Sequence, residues 1–265
     1  MDYRPIRTYE TVPYPLFKFT KLEYAKSFFE NGTLRLNTLF EYVENETYSD
    51  GTRDYFEGFY LWYVDEQERQ QKDIPELRLI LARNQLTFCV TEELNPAFLS
   101  EFEADCSIVI RSPFFFQELD KKLGDKFRNT YLRKVTYFYK TKLGEHPRYE
   151  DFGGVMKHNK YEHQKEFRAL WEPVKEHFGS DLDEADSTSV FGESFMQNEL
   201  VDYYPHEKYF GHIKREQQWL APQFIKAPDA RKFCSLLVPT PFGRTKPFDH
   251  IEHPSIDKFF NSYSK

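Results

Sequence analysis

Hydrophobic and polar positions alternate in two short stretches near the start of the chain, residues 16–19 and 33–37. A period of two residues is typical of a strand with one buried face. In the first stretch this period puts Phe17 and Phe19 on one face and Lys18 on the other. The residues between the two stretches carry apolar side chains at helical spacing. The chain is therefore predicted to open as strand, helix and strand.

The predicted helix carries a signal at each of its ends. Thr20 and Glu23 have the spacing of a capping box, in which the threonine and the glutamate satisfy free backbone amides at a helix start. Gly32 follows the last apolar helical position, where a left-handed cap is common. We expect the helix to begin after Thr20 and to end at Gly32.

The same periodicities predict the remaining elements. Strands are predicted at residues 59–64, 78–81, 86–91, 106–110, 132–139, 166–171 and 233–238, and helices at 39–45, 113–123, 195–203 and 256–263. This pattern predicts an α+β fold, with mixed, mainly antiparallel central sheets flanked by short helices. The acidic stretch 179–186 is the predicted boundary between a core domain, residues 1–178, and a C-terminal extension, residues 179–265, that packs on the core.

Composition narrows the class of protein. With 265 residues, 40% hydrophobic and 30% charged, the chain is globular. Aromatic residues make up 18%, so Phe supplies much of the core and Tyr can line a half-wet cleft. The net charge is −7 and the basic residues are dispersed, which disfavours a large nucleic-acid surface. The three cysteines show no paired spacing, which predicts a protein of the reducing cytoplasm. The sequence has no apolar run of about 20 residues, so no membrane partner is predicted.

Three polar residues late in the chain are spaced for one strand face. Gln164, Glu166 and Arg168 lie two residues apart, so on a strand their side chains point the same way. A Glu beside a Gln at a strand start can hold a ribose hydroxyl and stabilise a cationic sugar centre. Arg168 either contacts the same ligand or neutralises Glu166 as an ion pair. The core-facing residues of this strand would be Phe167, Ala169 and Trp171.

Other candidates lie earlier in the chain. Lys18 either binds a phosphate or carboxylate group of a ligand or is a solvated lysine on a half-exposed strand. Asn37, at the end of the second strand, either forms hydrogen bonds within a turn or contacts a ligand. Arg53, Asp54 and Glu57 share one loop, which carries either binding residues or local ion pairs. With Mg²⁺, the two carboxylates would suit a nuclease or phosphotransferase. The histidines lack zinc-site spacing, so no metal site is predicted.

The order of short motifs resembles a large bacterial family of small cytoplasmic proteins, some of them encoded near phage-defence genes. The matching motifs are Phe17-Lys18-Phe19, Asn31-Gly32, the loop 53–58, Phe88-Cys89, the strand 106–110 and Glu166-Phe167-Arg168. The resemblance covers about residues 16 to 172 of the chain. It implies a bacterial cytoplasmic protein with a role in phage defence.

A more distant resemblance is to the ADP-ribosyltransferase superfamily, whose fold also opens with strand, helix and strand. Gln164-Lys165-Glu166 is similar to the Gln-x-Glu motif on a late strand of that fold, and Lys18 stands where its first strand has a basic residue or His. Asn37-Thr38 stands where its middle strand has a Ser-Thr-Ser triplet.

This second resemblance implies transfer of ADP-ribose from NAD to a protein or nucleic-acid acceptor, in a toxin or phage-defence setting. It makes Glu166 and Gln164 catalytic, with Glu166 holding the nicotinamide ribose. The residues that would contact NAD are Lys18, Asn37, Arg53, Tyr161 and Arg168, with Lys18 on the pyrophosphate and Tyr161 stacked on nicotinamide. The alternative is a sensor or binding protein that recognises a phage component, a nucleotide or a protein partner without turnover.

Overall fold

The computed structural model describes residues 12–44, 59–63, 78–82, 85–138, 156–174, 190–191, 220–240, 246–252 and 255–263. The strands are β1 Leu16–Thr20, β2 Thr33–Thr38, β3 Phe59–Tyr63, β4 Arg78–Ala82, β5 Leu86–Thr91, β6 Cys106–Ile110, β7 Phe127–Lys134, β8 Thr136–Phe138, β9 Met156–His158, β10 Glu166–Pro173, β11 Val190–Phe191, β12 Gln223–Lys226, β13 Cys234–Pro239 and β14 Phe248–Ile251. The helices are α1 Leu22–Asn31, α2 Leu39–Glu44, α3 Ala97–Glu101, α4 Phe114–Leu123 and α5 Ser255–Tyr263, with 3₁₀ helices at Gly124–Lys126, Asn159–Gln164 and Pro228–Phe233.

Most predicted elements that fall on the described residues are confirmed, with boundaries shifted by one or two positions. One is wrong in extent, because the single strand predicted at 132–139 is two strands, β7 and β8, and β7 begins at Phe127. Val135 separates them and donates its N–H to the Glu166 carbonyl at 2.8 Å. The helix predicted at 195–203 and the boundary predicted at 179–186 lie outside the described residues.

Nine of the described strands form one sheet, in which every pair is antiparallel. Its order is β12-β2-β5-β1-β6-β13-β14, with β10 against β5 and β7 against β10. The described residues also form a three-stranded antiparallel sheet, β11-β4-β3, and a parallel pair, β8-β9. This is the mixed α/β structure with a mainly antiparallel sheet that the α+β prediction describes. Among the described residues, no helix has the length and apolar character needed to cross a membrane.

Strand β5 is the point at which this sheet forks. On one edge, β10 pairs with β5 from Leu86 to Thr91. On the other edge, β2 pairs with Leu86 and Thr87, whereas β1 pairs only with Thr91. Strands β1 and β2 therefore diverge along β5. Within the described part of the chain, no strand pairs with the middle of β5 on that edge, and this leaves a gap in the sheet.

The two faces of the sheet differ in what covers them. One face carries the main core, to which α1, α4 and α5 contribute buried side chains. These are Ala25, Phe28, Phe29, Phe115, Phe116, Leu119, Leu123, Ile256 and Phe260. The predicted inward residues of β10 lie in this core: Phe167, Ala169 and Trp171. The opposite face carries a smaller apolar cluster around Phe19 and Phe98, so it has room for polar side chains.

The capping box predicted at the start of α1 is wrong. Lys21 is the N-cap, and no side chain of a neighbouring residue caps the helix. Instead, Asp105 Oδ2 accepts the Leu22 N–H at 3.0 Å from a position 83 residues along the chain. The acceptor that this end of the helix needs is thus supplied by tertiary structure. The predicted cap at the other end is confirmed, because Gly32 has a left-handed φ of 72°.

The C-terminal end of α1 is held by the 3₁₀ helix Pro228–Phe233. Arg231 Nη1 donates to the carbonyl oxygens of Phe29 at 2.7 Å and Glu30 at 3.0 Å. A Cβ atom on Gly32 would lie 2.5 Å from the Pro228 backbone, which explains why this position needs glycine for its space as well as for its φ. The last carbonyls of α1 are therefore satisfied by a cation from the C-terminal part of the chain.

We predict that Arg231→Ala lowers the free energy of unfolding by about 1–3 kcal/mol, since two helix-end carbonyls lose a charged donor. The adjacent substitution Lys232→Ala removes only an exposed ion pair with Asp229 and should leave stability nearly unchanged. Urea denaturation of both variants tests this. Equal effects would contradict the role given to Arg231.

Candidate functional site

A cleft opens at the fork of the sheet, between β1 and β5. The empty space at this point is about 610 Å³, including the part that is open to solvent. Its lining residues are Phe17, Lys18, Phe19, Tyr42, Cys89, Val90, Thr91, Phe102, Lys157, Gln164, Glu166 and Arg168. The structure therefore brings four of the predicted site residues to one cleft: Lys18, Gln164, Glu166 and Arg168.

Three charged side chains meet at the cleft wall and form a buried triad, Lys157–Glu166–Arg168. Lys157 Nζ lies 3.0 Å from Glu166 Oε2, and Arg168 Nε lies 2.6 Å from Glu166 Oε1. Arg168 Nη2 also donates to Oε2, at 3.4 Å. The three side chains are only 4%, 8% and 1% exposed. The ion pair between Glu166 and Arg168 that the sequence allowed is therefore formed, and a second cation joins it.

Strand alternation places the triad. Glu166 and Arg168 lie on the same face of β10, in register with Thr91 and Cys89 of β5. The other face of β10 enters the core. Lys157 comes from β9, a three-residue strand that pairs with β8. The two positive groups that contact the Glu166 carboxylate, Lys157 and Arg168, therefore come from two different strands.

Gln164 lines the cleft, but it does not lie on the strand of Glu166 and Arg168, as the two-residue spacing of the three residues predicts. The strand begins at Glu166, and Gln164 is the last residue of the 3₁₀ helix Asn159–Gln164. Lys165 joins the two with a positive φ of 43°, a conformation that is uncommon for a residue with a side chain. This backbone turn brings Gln164 to the same wall as Glu166 without a shared strand face.

The Gln164 side chain is held at both ends. Its Oε1 accepts from Lys157 Nζ at 2.9 Å, and its Nε2 donates to Glu101 Oε1 at 2.6 Å. Glu101 also contacts the exposed His163, with His163 Nε2 at 2.9 Å from Oε1. Hydrogen bonds therefore run without a break from a surface histidine to the buried Glu166.

The charge state of Glu166 follows from its surroundings. Burial by itself raises the pKa of the carboxyl, but the Arg168 guanidinium and the Lys157 ammonium outweigh it and hold the pKa well below its ordinary value. Hydrogen bonds from Arg168 add to that lowering. The nearby Tyr137 hydroxyl accepts the Glu166 N–H at 2.9 Å, and burial raises its pKa. Glu166 is therefore an anion and Tyr137 is neutral near neutral pH.

The cleft has an aromatic side as well as a charged one. Phe17 and Phe19 line it from β1, and Phe102 lines it from the residue after α3. The rings of Phe19 and Phe102 are 6.0 Å apart between centroids and tilted. A ligand in the cleft would meet aromatic rings on one side and ionic groups on the other.

The Lys18 side chain is oriented away from the triad. It leaves β1 on the face shared with Leu16 and its register partner Ile108, whereas Glu166 shares its face with Thr91 and Phe17. The Lys18 ammonium lies 5.1 Å from the centroid of the Phe88 ring. Lys18 contributes to the cleft wall, but the ammonium that contacts Glu166 belongs to Lys157.

Two other predicted residues, Tyr161 and Asn37, are not among the described residues that line the cleft. Tyr161 is buried, and the ammonium groups of Lys157 and Lys160 each lie 4.5 Å from its ring centroid. Asn37 Nδ2 donates to the hydroxyl of Tyr42, a lining residue, at 3.2 Å. Arg53 lies outside the described residues, as do Asp54 and Glu57.

Lys157 and Cys89 line the cleft but were not predicted as site residues. Lys157 begins a short polar run that lacks a hydrophobic period, so nothing local distinguishes it from a solvated lysine. The pattern at residues 86–91 predicts that Cys89 lies on a strand, but its position opposite Arg168 depends on the register between β5 and β10. Within the described ranges, no group of three or more His, Cys, Asp or Glu side chains is arranged to hold a metal ion.

We predict that Glu166→Gln lowers the free energy of unfolding at pH 7 by about 3–5 kcal/mol, because two buried cations lose their counter-charge. The pKa of Glu166 is lowered in the folded state, so its stabilising contribution is complete above the unfolded value of about 4.3 and is lost as the pH falls toward the folded value. The difference from the wild type should shrink on acidification.

Urea denaturation between neutral and acid pH measures this difference. Glu93→Gln is the control, since its ion pair with Lys165 is exposed and its effect should be small at every pH. A constant difference between Glu166→Gln and the wild type down to acid pH would show that the carboxylate is not held ionised.

The chain matches no protein-family model, no curated protein and no solved structure. The function of the cleft is therefore inferred from its own geometry and chemistry.

Proposed function

We propose that the cleft binds a nucleotide of the NAD type, with the Lys157–Glu166–Arg168 triad at its polar end. The supporting observation is that three charges are buried at the wall of a cleft. Taking charges out of water is costly, and apolar residues in their place commonly leave a protein equally or more stable. Strongly perturbed ionisable groups in a cleft favour a role in ligand recognition.

The class of ligand follows from the two sides of the cleft. Phe17, Phe19 and Phe102 offer aromatic surface for a planar base or a nicotinamide ring. The triad and Gln164 offer ionic and amide groups for sugar hydroxyls and phosphates. A dinucleotide such as NAD carries both kinds of group.

Binding without turnover is the primary proposal, because two cations lie directly against the Glu166 carboxylate. A glutamate that stabilises a cationic sugar acts through its negative charge. Here Arg168 and Lys157 offset that charge. The protein would then be a sensor or binding module that recognises a nucleotide in a cytoplasmic, phage-defence setting.

A second candidate is an ADP-ribosyltransferase-like enzyme, which the joint position of Gln164 and Glu166 on the cleft wall favours. In that reaction the bond between ribose and nicotinamide breaks and nicotinamide leaves with the bonding electron pair. A protein or nucleic-acid nucleophile forms a bond to the sugar carbon and releases its proton to solvent. Glu166 would hold the ribose and Gln164 would orient the acceptor.

We predict that isothermal titration calorimetry detects binding of NAD, and that Phe102→Ala weakens it about tenfold or more through loss of stacking. Phe114→Ala is the matched control, because this Phe is 54% exposed and is not among the residues that line the cleft. Lack of binding by both NAD and ADP-ribose would refute the proposed ligand class. Equal affinities for the two variants would refute the aromatic subsite.

The two candidates differ in what becomes of the bound NAD. Binding without turnover predicts that NAD incubated with a stoichiometric amount of protein is recovered intact, as measured by chromatography. Release of nicotinamide in proportion to protein concentration, and absent after heat denaturation, would replace the primary proposal with the second candidate.

A further inference from the structure

The charge of the cleft is opposite in sign to that of the chain. Among the described residues that line the cleft, three are cations, Lys18, Lys157 and Arg168, and one is an anion, Glu166. The chain as a whole has a net charge of −7. The described lining therefore carries an excess of positive charge in a negatively charged protein, and a cleft lined by one sign of charge attracts ligands of the other sign.

The carboxylate of this lining is already matched by cations of the protein. Glu166 Oε1 accepts from Arg168 Nε at 2.6 Å, and Glu166 Oε2 accepts from Lys157 Nζ at 3.0 Å. Each oxygen thus has a positive group against it, and the triad as a unit keeps one positive charge in excess. A cationic group of a ligand would gain little from Glu166 and would be repelled by that excess.

Lys18 adds a second positive charge, which the triad does not offset. Its side chain leaves β1 on the face away from Glu166. Within the described part of the chain its ammonium forms no salt bridge, and it lies 5.1 Å from the centroid of the Phe88 ring. Since no described carboxylate pairs with Lys18, its charge adds to the excess at the cleft.

One further carboxylate belongs to the same hydrogen-bond network but does not line the cleft. Glu101 Oε1 accepts from Gln164 Nε2 at 2.6 Å, and Gln164 Oε1 in turn accepts from Lys157 Nζ at 2.9 Å. Glu101 also contacts His163 and is not among the described lining residues. The neutral Gln164 amide therefore separates this carboxylate from the triad, and the described surface that a ligand meets is positive.

The proposed class of ligand includes two forms that differ in charge. The nicotinamide ring of NAD⁺ is a cation, whereas the ring of NADH has nearly the same size and is neutral, and both molecules carry the same two negative phosphates. The phenylalanines of the cleft would attract the cationic ring only weakly. A cation–π contact at a partly exposed site is worth less than the repulsion between two unit charges at a similar distance near a protein surface.

We propose that the cleft selects its nucleotide by charge and binds NADH more tightly than NAD⁺. This inference rests on the proposed nucleotide-binding function and adds to it the class of ligand that is recognised, a dinucleotide with two phosphates and an uncharged second ring. The excess positive charge attracts the phosphates of both forms, and it repels the nicotinamide cation that only NAD⁺ carries.

Calorimetry of the wild type with NAD⁺ and with NADH tests the proposal without any substitution. NADH should bind about tenfold more tightly, and this preference should shrink as salt is added, because salt screens charges at a site that is open to solvent. Equal affinities, or tighter binding of NAD⁺, would overturn the inference. A preference for NADH that is independent of salt would also overturn it, since the shape of the ring and not its charge would then be recognised.

Substitution of Lys18 tests the source of the selection. In Lys18→Met the preference for NADH should narrow about threefold, because one of the excess charges is removed, whereas Lys18→Arg should retain the preference. Lys26→Met is the matched control, because Lys26 pairs with Glu30 on α1 and is not among the described residues that line the cleft. An undiminished preference in Lys18→Met, or an equal narrowing in Lys26→Met, would overturn the inference.

The two levels of the account fail separately. If calorimetry shows no binding of NAD⁺, NADH or ADP-ribose to the wild type, the nucleotide-binding function is wrong and the inference falls with it. If NAD⁺ and NADH bind with the expected dependence on Phe102 but with equal affinity, the function stands and only the selection by charge is wrong.

Discussion

The Glu166 carboxylate lies between two cations at the wall of a cleft, and each of the three charges is tolerated there because the others are present. An isolated ionised group buried to the same extent would have a pKa shifted toward its neutral form, or would destabilise the fold around it. The pairing keeps all three groups ionised and holds their side chains in fixed positions. The candidate site depends on this interaction more than on any other contact in the described structure.

The fold supports the triad through the fork at β5. β10 covers one edge of β5, while β1 and β2 diverge on the other edge, so only β5 separates the charged residues of β10 from the gap in the sheet. Helices α1, α4 and α5 lie on the opposite face, with the main core. The three charges therefore line the cleft on one side of the sheet and remain almost fully buried.

Local patterns predicted much of this structure. The strand–helix–strand opening, the core-facing residues of β10 and the cap at Gly32 follow from periodicity and from glycine's freedom at positive φ. The cap from Asp105 was not predictable in this way, because it acts on a residue 83 positions away along the chain. The contact of Lys157 was not predictable either, because Lys157 lies in a polar run without a hydrophobic period. Gln164 and Glu166 do meet at one wall, but through the turn at Lys165 and not along one strand.

The most direct test of the account replaces the whole triad with apolar residues of similar size, as Lys157→Met, Glu166→Leu and Arg168→Met in one chain. If the charges serve ligand recognition, the triple variant should have a free energy of unfolding equal to or above that of the wild type, and calorimetry should detect no NAD binding. A loss of several kcal/mol in stability, or NAD affinity equal to that of the wild type, would contradict the account.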